Sequence, residues 1–295
     1  MHITTPFEVE GFADDNQLLK KFIVSFQTEI LGFTINECLQ SISTWMNKFC
    51  LKLNKDKTKI LVFAPPAIMD SIRIHGTFVD GECVRFVDCA KNLGIWLDEC
   101  LNFKQQINKV VSSCFMIIKE LARLKSFITK EHLISLVVAL IFSKLDYCNA
   151  LYYNIPANEL NHLQSVQNAC VRLVCGGRKF DQQPISHRFI ELHWLKVRER
   201  VIYKILMTVH KCVWGVAPKS LANKIMVANP RTFKLAEMKK NGAFGERTFS
   251  RAGPKLWNCL PTKFRVNGNM EQFKKLMKSH LLINSHEFYA LLNMV

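Results

Sequence analysis

The sequence predicts an α+β amino-terminal part, made of β-hairpins and one helix, followed by a mostly α-helical region. Three observations carry this. Up to about residue 100, apolar residues come in short runs separated by turn formers such as Asp14-Asp15-Asn16, Asn54-Lys55-Asp56 and Asp80-Gly81. Beyond residue 100 they recur at three- and four-residue steps, the period of a half-buried helix. Hydrophobic residues make up 49% of 295 residues, enough for a folded chain with a sizeable core.

In order, the apolar runs Phe7, Val9, Phe12 and Leu18, Leu19, Phe22 flank Asp14-Asp15 and predict a hairpin with the aspartates at its tip. Residues 28 to 50 read as a helix, with Leu31, Ile35, Leu39, Ile42, Trp45, Met46 and Phe49 on one face. A turn at residues 54 to 56 feeds an apolar strand that Pro65-Pro66 ends. Short strands follow around Ile72, Phe78, Val84 and Phe86, with Asp80-Gly81 as a hairpin turn, and residues 93 to 97 form the last strand. Helices are expected over about 103 to 124, 131 to 152, 159 to 175, 196 to 214 and 272 to 283. Residues 217 to 261 are rich in Pro and Gly and show little periodicity. The domain reading is 1 to 100, 101 to 178 and 179 to 295.

Charge is uneven. From Arg178 onward there are 22 basic and 7 acidic residues, which holds +15 of the chain's +16. Such a segment favours polyanionic partners, nucleic acid first, against the plainer reading of solubility charge on a helical surface. Candidates for phosphate contact are Arg198, Arg200, Lys204, Lys211, Arg247, Arg251 and the group Lys274, Lys275, Lys278. Trp194 and Trp257 offer base stacking, but their apolar neighbours favour core positions. Eleven cysteines, an odd number without a C-x-x-C pair, fit a reducing compartment and no disulfides. With no signal peptide and no apolar run long enough to span a bilayer, the expectation is an intracellular protein of cytoplasm or nucleus, not a membrane protein.

The stretch richest in chemistry is Phe12-Ala13-Asp14-Asp15. Two adjacent carboxylates repel unless a cation sits between them, and Mg²⁺ takes such oxygens together with substrate phosphates. A purely local turn is the other reading. Lys57, within Asn54-Lys55-Asp56-Lys57-Thr58, is either a phosphate partner or a solvated turn lysine.

Taken together, the order of these motifs resembles the later half of the palm of a reverse transcriptase, closest to the polymerases of non-LTR retrotransposons (LINE-type, jockey-like). Phe12-Ala13-Asp14-Asp15 is similar to the family's third motif, Asn54-Lys55-Asp56-Lys57-Thr58 to its fourth, and Lys91-Asn92-Leu93-Gly94 to its fifth, the primer grip. The likeness continues through Ser143-Lys144-Leu145-Asp146-Tyr147-Cys148-Asn149-Ala150-Leu151, Leu163-Gln164-Ser165-Val166-Gln167-Asn168-Ala169, Leu192-His193-Trp194-Leu195 and Pro254-Lys255-Leu256-Trp257-Asn258-Cys259-Leu260-Pro261.

The resemblance implies a palm remnant over 1 to 100, a helical thumb over 101 to 178 and a basic extension beyond. It implies RNA-directed DNA polymerase chemistry with Asp14 as direct Mg²⁺ ligand, Asp15 in support, Lys57 beside the triphosphate, and Leu93 and Gly94 at the primer end. The family's fingers and first two motifs, with the other metal-binding Asp, have no counterpart in the ten residues before Gly11. The expectation is therefore a site too incomplete to polymerise alone, with an RNA template and DNA primer as partners. The same truncation implies self-association through an exposed palm edge. The alternative is a non-enzymatic, basic helical nucleic-acid-binding or interaction protein derived from a retroelement; a remnant reading frame without selected function is a third.

Overall fold

A computed structural model describes residues 7–12, 15–22, 28–54, 56–69, 72, 77–79, 82–84, 86–176, 185–237, 244–284 and 289. The fold is α+β: mostly helical, with small two-stranded antiparallel hairpins. It divides into two compact units, Met1–Gln105 and Gln106–Val295.

In the first unit, β1 (Glu8–Phe12) pairs antiparallel with β2 (Asp15–Leu19), Phe12 opposite Asp15 and Glu8 opposite Leu19. Helix α1 (Thr28–Lys48) follows, close to the expected span. Its Ile35 and Leu39, one turn apart, meet Leu18 of β2 together with Leu53, Ile60 and Val84, and this small cluster ties the first hairpin to the rest. The strand expected after the Asn54 turn does not form. Ile60 makes one isolated parallel bridge to Phe86, where the Val87 N–H donates to the Ile60 carbonyl at 3.0 Å. Pro65 and Pro66 have no N–H to extend a ladder, and the chain turns instead into the short α2 (Pro66–Met69), Pro66 taking its first position.

Two more hairpins complete this unit. In β3 (Thr77–Val79) and β4 (Glu82–Val84), Val79 lies opposite Glu82, so the register leaves Asp80-Gly81 between the strands; these two lie outside the described residues. In β5 (Cys89–Asn92) and β6 (Ile95–Asp98), Asn92 lies opposite Ile95. Leu93 and Gly94, expected in a strand, are instead the two-residue turn, at φ 44° and 84°. Positive φ at both positions matches the right-handed twist of the flanking strands, whereas a strand continued through Gly94 would not reverse. The Asp98 carboxylate then accepts from the N–H groups of Asn102 and Phe103 and closes the unit.

The second unit opens with α3 (Lys104–Leu124), whose Ile107, Cys114 and Leu121 are buried at the seven-residue spacing that the sequence shows. The single helix expected over 131 to 152 is broken into pieces: α4 (Lys130–Val137), a π-helical turn (Val138–Phe142), α5 (Ser143–Asp146) and a 3₁₀ turn (Asn149–Tyr152). Tyr147 turns extended and ends the helical run, and Cys148 at φ 52°, a conformation costly for a residue with a Cβ, leads into the 3₁₀ turn. Helix α6 (Ala157–Cys175) stops at Gly176, φ 74°, as its glycine forecasts. After α7 (Ile185–Glu191) comes α8 (Val197–Val213), the most buried helix, with Glu199, Met207 and His210 inside along with the expected apolar face.

The segment without clear periodicity holds α9 (Lys219–Ala222), a hairpin of β7 (Val227–Asn229) and β8 (Lys234–Leu235), and α10 (Phe249–Asn258). Gly253 is what lets α10 approach α8: a Cβ there would stand 2.9 Å from Val209 Cγ2. The chain continues through α11 (Thr262–Arg265) to α12 (Met270–Ile283), which Asn269 caps by accepting from the Gln272 N–H at 3.0 Å. No described helix is long and apolar enough to cross a membrane, and the cysteines whose side chains are described are unbridged. Cys114 and Cys170 are fully buried, and burial raises their thiols to about 11 and about 12, so they act as small hydrophobes.

Candidate functional site

The register of β1 and β2 places Ala13 and Asp14 between the strands, as the hairpin reading requires; both lie outside the described residues. Asp15 opens β2 and is exposed, and Phe12 opposite it is 67% exposed. Two residues on from Asp15, and on the same face of the strand, Gln17 donates from Nε2 to Asn92 Oδ1 at 3.1 Å. Asn92 is the last residue of β5, next to the Leu93-Gly94 turn. The strand that begins at Asp15 and the hairpin that turns at Leu93-Gly94 are thus joined side by side.

Leu93 stands out in that turn. A two-residue turn with positive φ at both positions is ordinarily built from Asn-Gly or Asp-Gly. Leucine there costs on the order of 1–2 kcal/mol against an ordinary backbone conformation. Its side chain is nonetheless 40% exposed, so core burial is a poor account of why it is there.

Lys57 is exposed in a turn built by its neighbours. Its N–H donates to Asn54 Oδ1 at 3.1 Å, and Thr58 Oγ1 donates to the Asn54 carbonyl at 2.8 Å. Asn and Thr in this motif therefore have a local task, closing an Asx-type turn, and the Lys57 side chain is left pointing outward. Among the described residues no three His, Cys, Asp or Glu side chains gather to hold a metal ion. Asp15 alone does not fit a two-ion Mg²⁺ centre, which needs carboxylates from more than one strand.

The basic candidates divide into two groups. Arg200 is an internal residue: Nε donates to Asp146 Oδ1 at 2.7 Å, the other arm of the fork reaches Asp146 Oδ2, and the guanidinium lies over the Phe142 ring, 4.6 Å from its centroid. Arg198 lies over the Tyr289 ring at 4.5 Å, and Arg251 pairs with Glu246 at 3.3 Å. Lys274 pairs with Glu271 at 2.6 Å, and that bond holds its ammonium above the ordinary lysine value. Lys204 and Lys211 on α8, and Lys275 and Lys278 on α12, are exposed and make two short positive stripes, seven and three residues apart. Of the sequence candidates these four are the exposed residues, Arg247 being among the half-buried ones.

Trp194 and Trp257 are core residues. Trp194 meets Phe142 edge-on at 4.6 Å; Trp257 is fully buried and donates from Nε1 to the Phe233 carbonyl at 2.8 Å. His210 is buried, stacks on Phe273 at 4.4 Å and bonds the Asn267 carbonyl through Nε2 at 2.8 Å. With a carbonyl as partner, Nε2 carries the proton, and burial pushes the ring's pKa below its ordinary value.

The helical motifs turn out to hold one another. Asp146 takes Arg200, and Asn149 Nδ2 donates to the same Asp146 at 3.2 Å. Gln167 Nε2 donates to the Leu195 carbonyl at 3.0 Å, and Gln164 Oε1 accepts from the Val197 N–H at 3.0 Å. Near the carboxy end, Asn258 Nδ2 donates to the Leu235 carbonyl while its Oδ1 accepts from the Leu235 N–H, each at 2.9 Å, and so completes the edge of β8. No local pattern announces Gln17, Asn92 or Asn258, because each partner is distant in the chain. Comparison of the chain with known protein families, with curated proteins and with solved structures finds no match.

Proposed function

We propose that these residues are the late palm and thumb of an RNA-directed DNA polymerase of the non-LTR retrotransposon type, that they grip a primer–template hybrid, and that they do not polymerise unaided. The observation that carries the reading is Leu93: a strained, exposed leucine in a tight turn, tied through Asn92 and Gln17 to the strand that begins at Asp15. Residues kept in costly backbone conformations cluster at functional sites. A primer terminus at Leu93 would lie beside the carboxylate hairpin, where the chemistry of the family takes place. The exposed Lys204, Lys211, Lys275 and Lys278 supply non-specific phosphate contact.

The test is photocrosslinking from a 4-thiothymidine at the primer 3′ end of an RNA–DNA hybrid. The expected adduct is the peptide containing Leu93. Adducts confined to residues 106 to 295, indifferent to the primer end, favour the second reading, a basic helical nucleic-acid binder without catalytic role; the exposed lysine stripes are what support it. Template-dependent extension by the purified chain with Mg²⁺ and dNTPs, lost in Asp14→Ala, would overturn the claim that it is inactive alone.

A further inference from the structure

The side that α4, the π-helical turn and α5 present to solvent is apolar where a helix surface is ordinarily polar. Val138, Ala139 and Leu140, three consecutive residues, are exposed in the π-helical turn, and the exposed Tyr147 and Leu151 follow at four-residue steps from the exposed Ser143. The four large side chains are between 43% (Leu140) and 51% (Tyr147) exposed. Single exposed apolar residues are normal, whereas a contiguous set marks a contact surface. The core has its own set from the same run, the buried Val137, Ile141, Phe142 and Leu145. Short π-helical turns inside helices also recur at functional sites. The polar residues among the apolar ones lose nothing when water leaves. Ser135 Oγ donates to the Glu131 carbonyl at 3.0 Å, and Ser143 Oγ donates to the Ala139 carbonyl at 2.6 Å. Each hydroxyl is bonded to its own helix, so covering it strands no donor. Two exposed charges flank the triplet, Glu131 before it and Lys144 after it.

We propose that this face is the contact surface between two copies of this chain, paired antiparallel about a two-fold axis at the Val138–Leu140 triplet. A two-fold contact is self-complementary: where one position meets a second, that second meets the first. Antiparallel pairing centred on Ala139 sets triplet against triplet and Ser135 against Ser143. It brings Glu131 of one copy within about one helical turn of Lys144 of the other, and does so twice. Parallel pairing would set Glu131 against Glu131 and Lys144 against Lys144, and such like-charge contacts are disfavoured. A wholly acidic or wholly basic partner would neutralise one of these charges and be repelled by the other, whereas a second copy satisfies both. The pairing uses the second unit alone. It is therefore separate from self-association through the palm edge and independent of the polymerase reading.

The test is sedimentation equilibrium of the full chain, free of nucleic acid, with charge-swapped variants. The unaltered chain is expected to form a concentration-dependent dimer, which Leu140→Asp reduces to monomer. Glu131→Lys and Lys144→Glu should each weaken self-association about tenfold, because both cross-pairs become repulsive. Mixing these two variants, or combining both changes in one chain, should restore the unaltered affinity, since every cross-pair is then again of opposite sign. Recovery in the mixture also shows that each variant is folded. A chain that is monomeric at every concentration, or an association that Leu140→Asp leaves intact, would overturn the pairing. So would single reversals that neither the mixture nor the double variant rescues.

Discussion

Breaking the Asp146–Arg200 pair tests whether α8 is locked to α5 by charge or only by packing. The two side chains retain 18% (Arg200) and 37% (Asp146) exposure, so solvent screens the pair in part. Hydrogen bonds to charged groups contribute about 1.5–3 kcal/mol when well shielded, while exposed pairs contribute about 0–1 kcal/mol. Two bonds in partial shielding place the coupling at about 1–2 kcal/mol. In a double-mutant cycle of Asp146→Asn, Arg200→Met and both together, each single change should lower Tm by about 2–8 °C, given roughly 2–4 °C per kcal/mol for a unit of this size. The double variant should lose less than the two singles added together. Helix content followed by circular dichroism on heating is the readout. Arg200→Met keeps a long apolar stem against Phe142, so packing is largely preserved. Additive losses, with coupling under about 0.3 kcal/mol, would show that the fork adds nothing to the lock. Arg200→Met should also leave the salt dependence of nucleic-acid binding unchanged.

Four further outcomes follow from the geometry. Replacing Lys275 and Lys278 together by Gln should flatten the slope of log K against log salt for a hybrid duplex by about 1–2 units, measured by fluorescence anisotropy. Gly253→Ala should destabilise by about 1–2 kcal/mol in urea titration despite alanine's better helix propensity, because its Cβ meets Val209 at 2.9 Å; Val209→Ala in the same chain should recover part of the loss. His210 titrates below its ordinary 6.5 when folded, so its contribution is full above that pH and is lost as pH falls from there toward the folded-state pKa; the urea midpoint should drop more between about pH 7 and 5 in the native chain than in His210→Gln. Leu93→Asn should stabilise the β5–β6 hairpin by about 1 kcal/mol and at the same time abolish crosslinking from the primer end, whereas a gain in stability with undiminished crosslinking would remove Leu93 from the site.

How much the sequence discloses depends on how local each determinant is. The first hairpin is legible because apolar runs flank a turn-forming pair, and α1, α3, α6, α8 and α12 because their buried faces repeat within one or two turns. Leu93-Gly94 passes for strand because leucine is a poor turn former, and the cost it bears at φ 44° is invisible in a hydrophobic pattern. After Asn54 the apolar residues suggest a strand, and Ile60 does pack on the small core cluster, but Pro65 and Pro66 withhold the donors a ladder needs. The β7–β8 hairpin escapes a local pattern because part of its edge bonding comes from Asn258, 23 residues downstream of Leu235. At the candidate site the residue types are legible and the neighbourhood is not. Lys57 reads the same in either role, and Arg200 looks like a surface cation until Asp146, 54 residues earlier, is brought against it.

That same separation has a consequence during synthesis. Asp146, Gln164 and Gln167 leave the ribosome well before residues 195 to 200, which satisfy them. At roughly 5–20 residues per second the wait is about 1–10 s. For that interval α4 to α6 hold a half-buried carboxylate and two amides without their mates, beside apolar surface that α8 will later cover. A nascent chain paused before residue 197 is thus the form of this protein most in need of a chaperone, and slowing translation over residues 150 to 195 should cost more soluble yield than slowing it after α8.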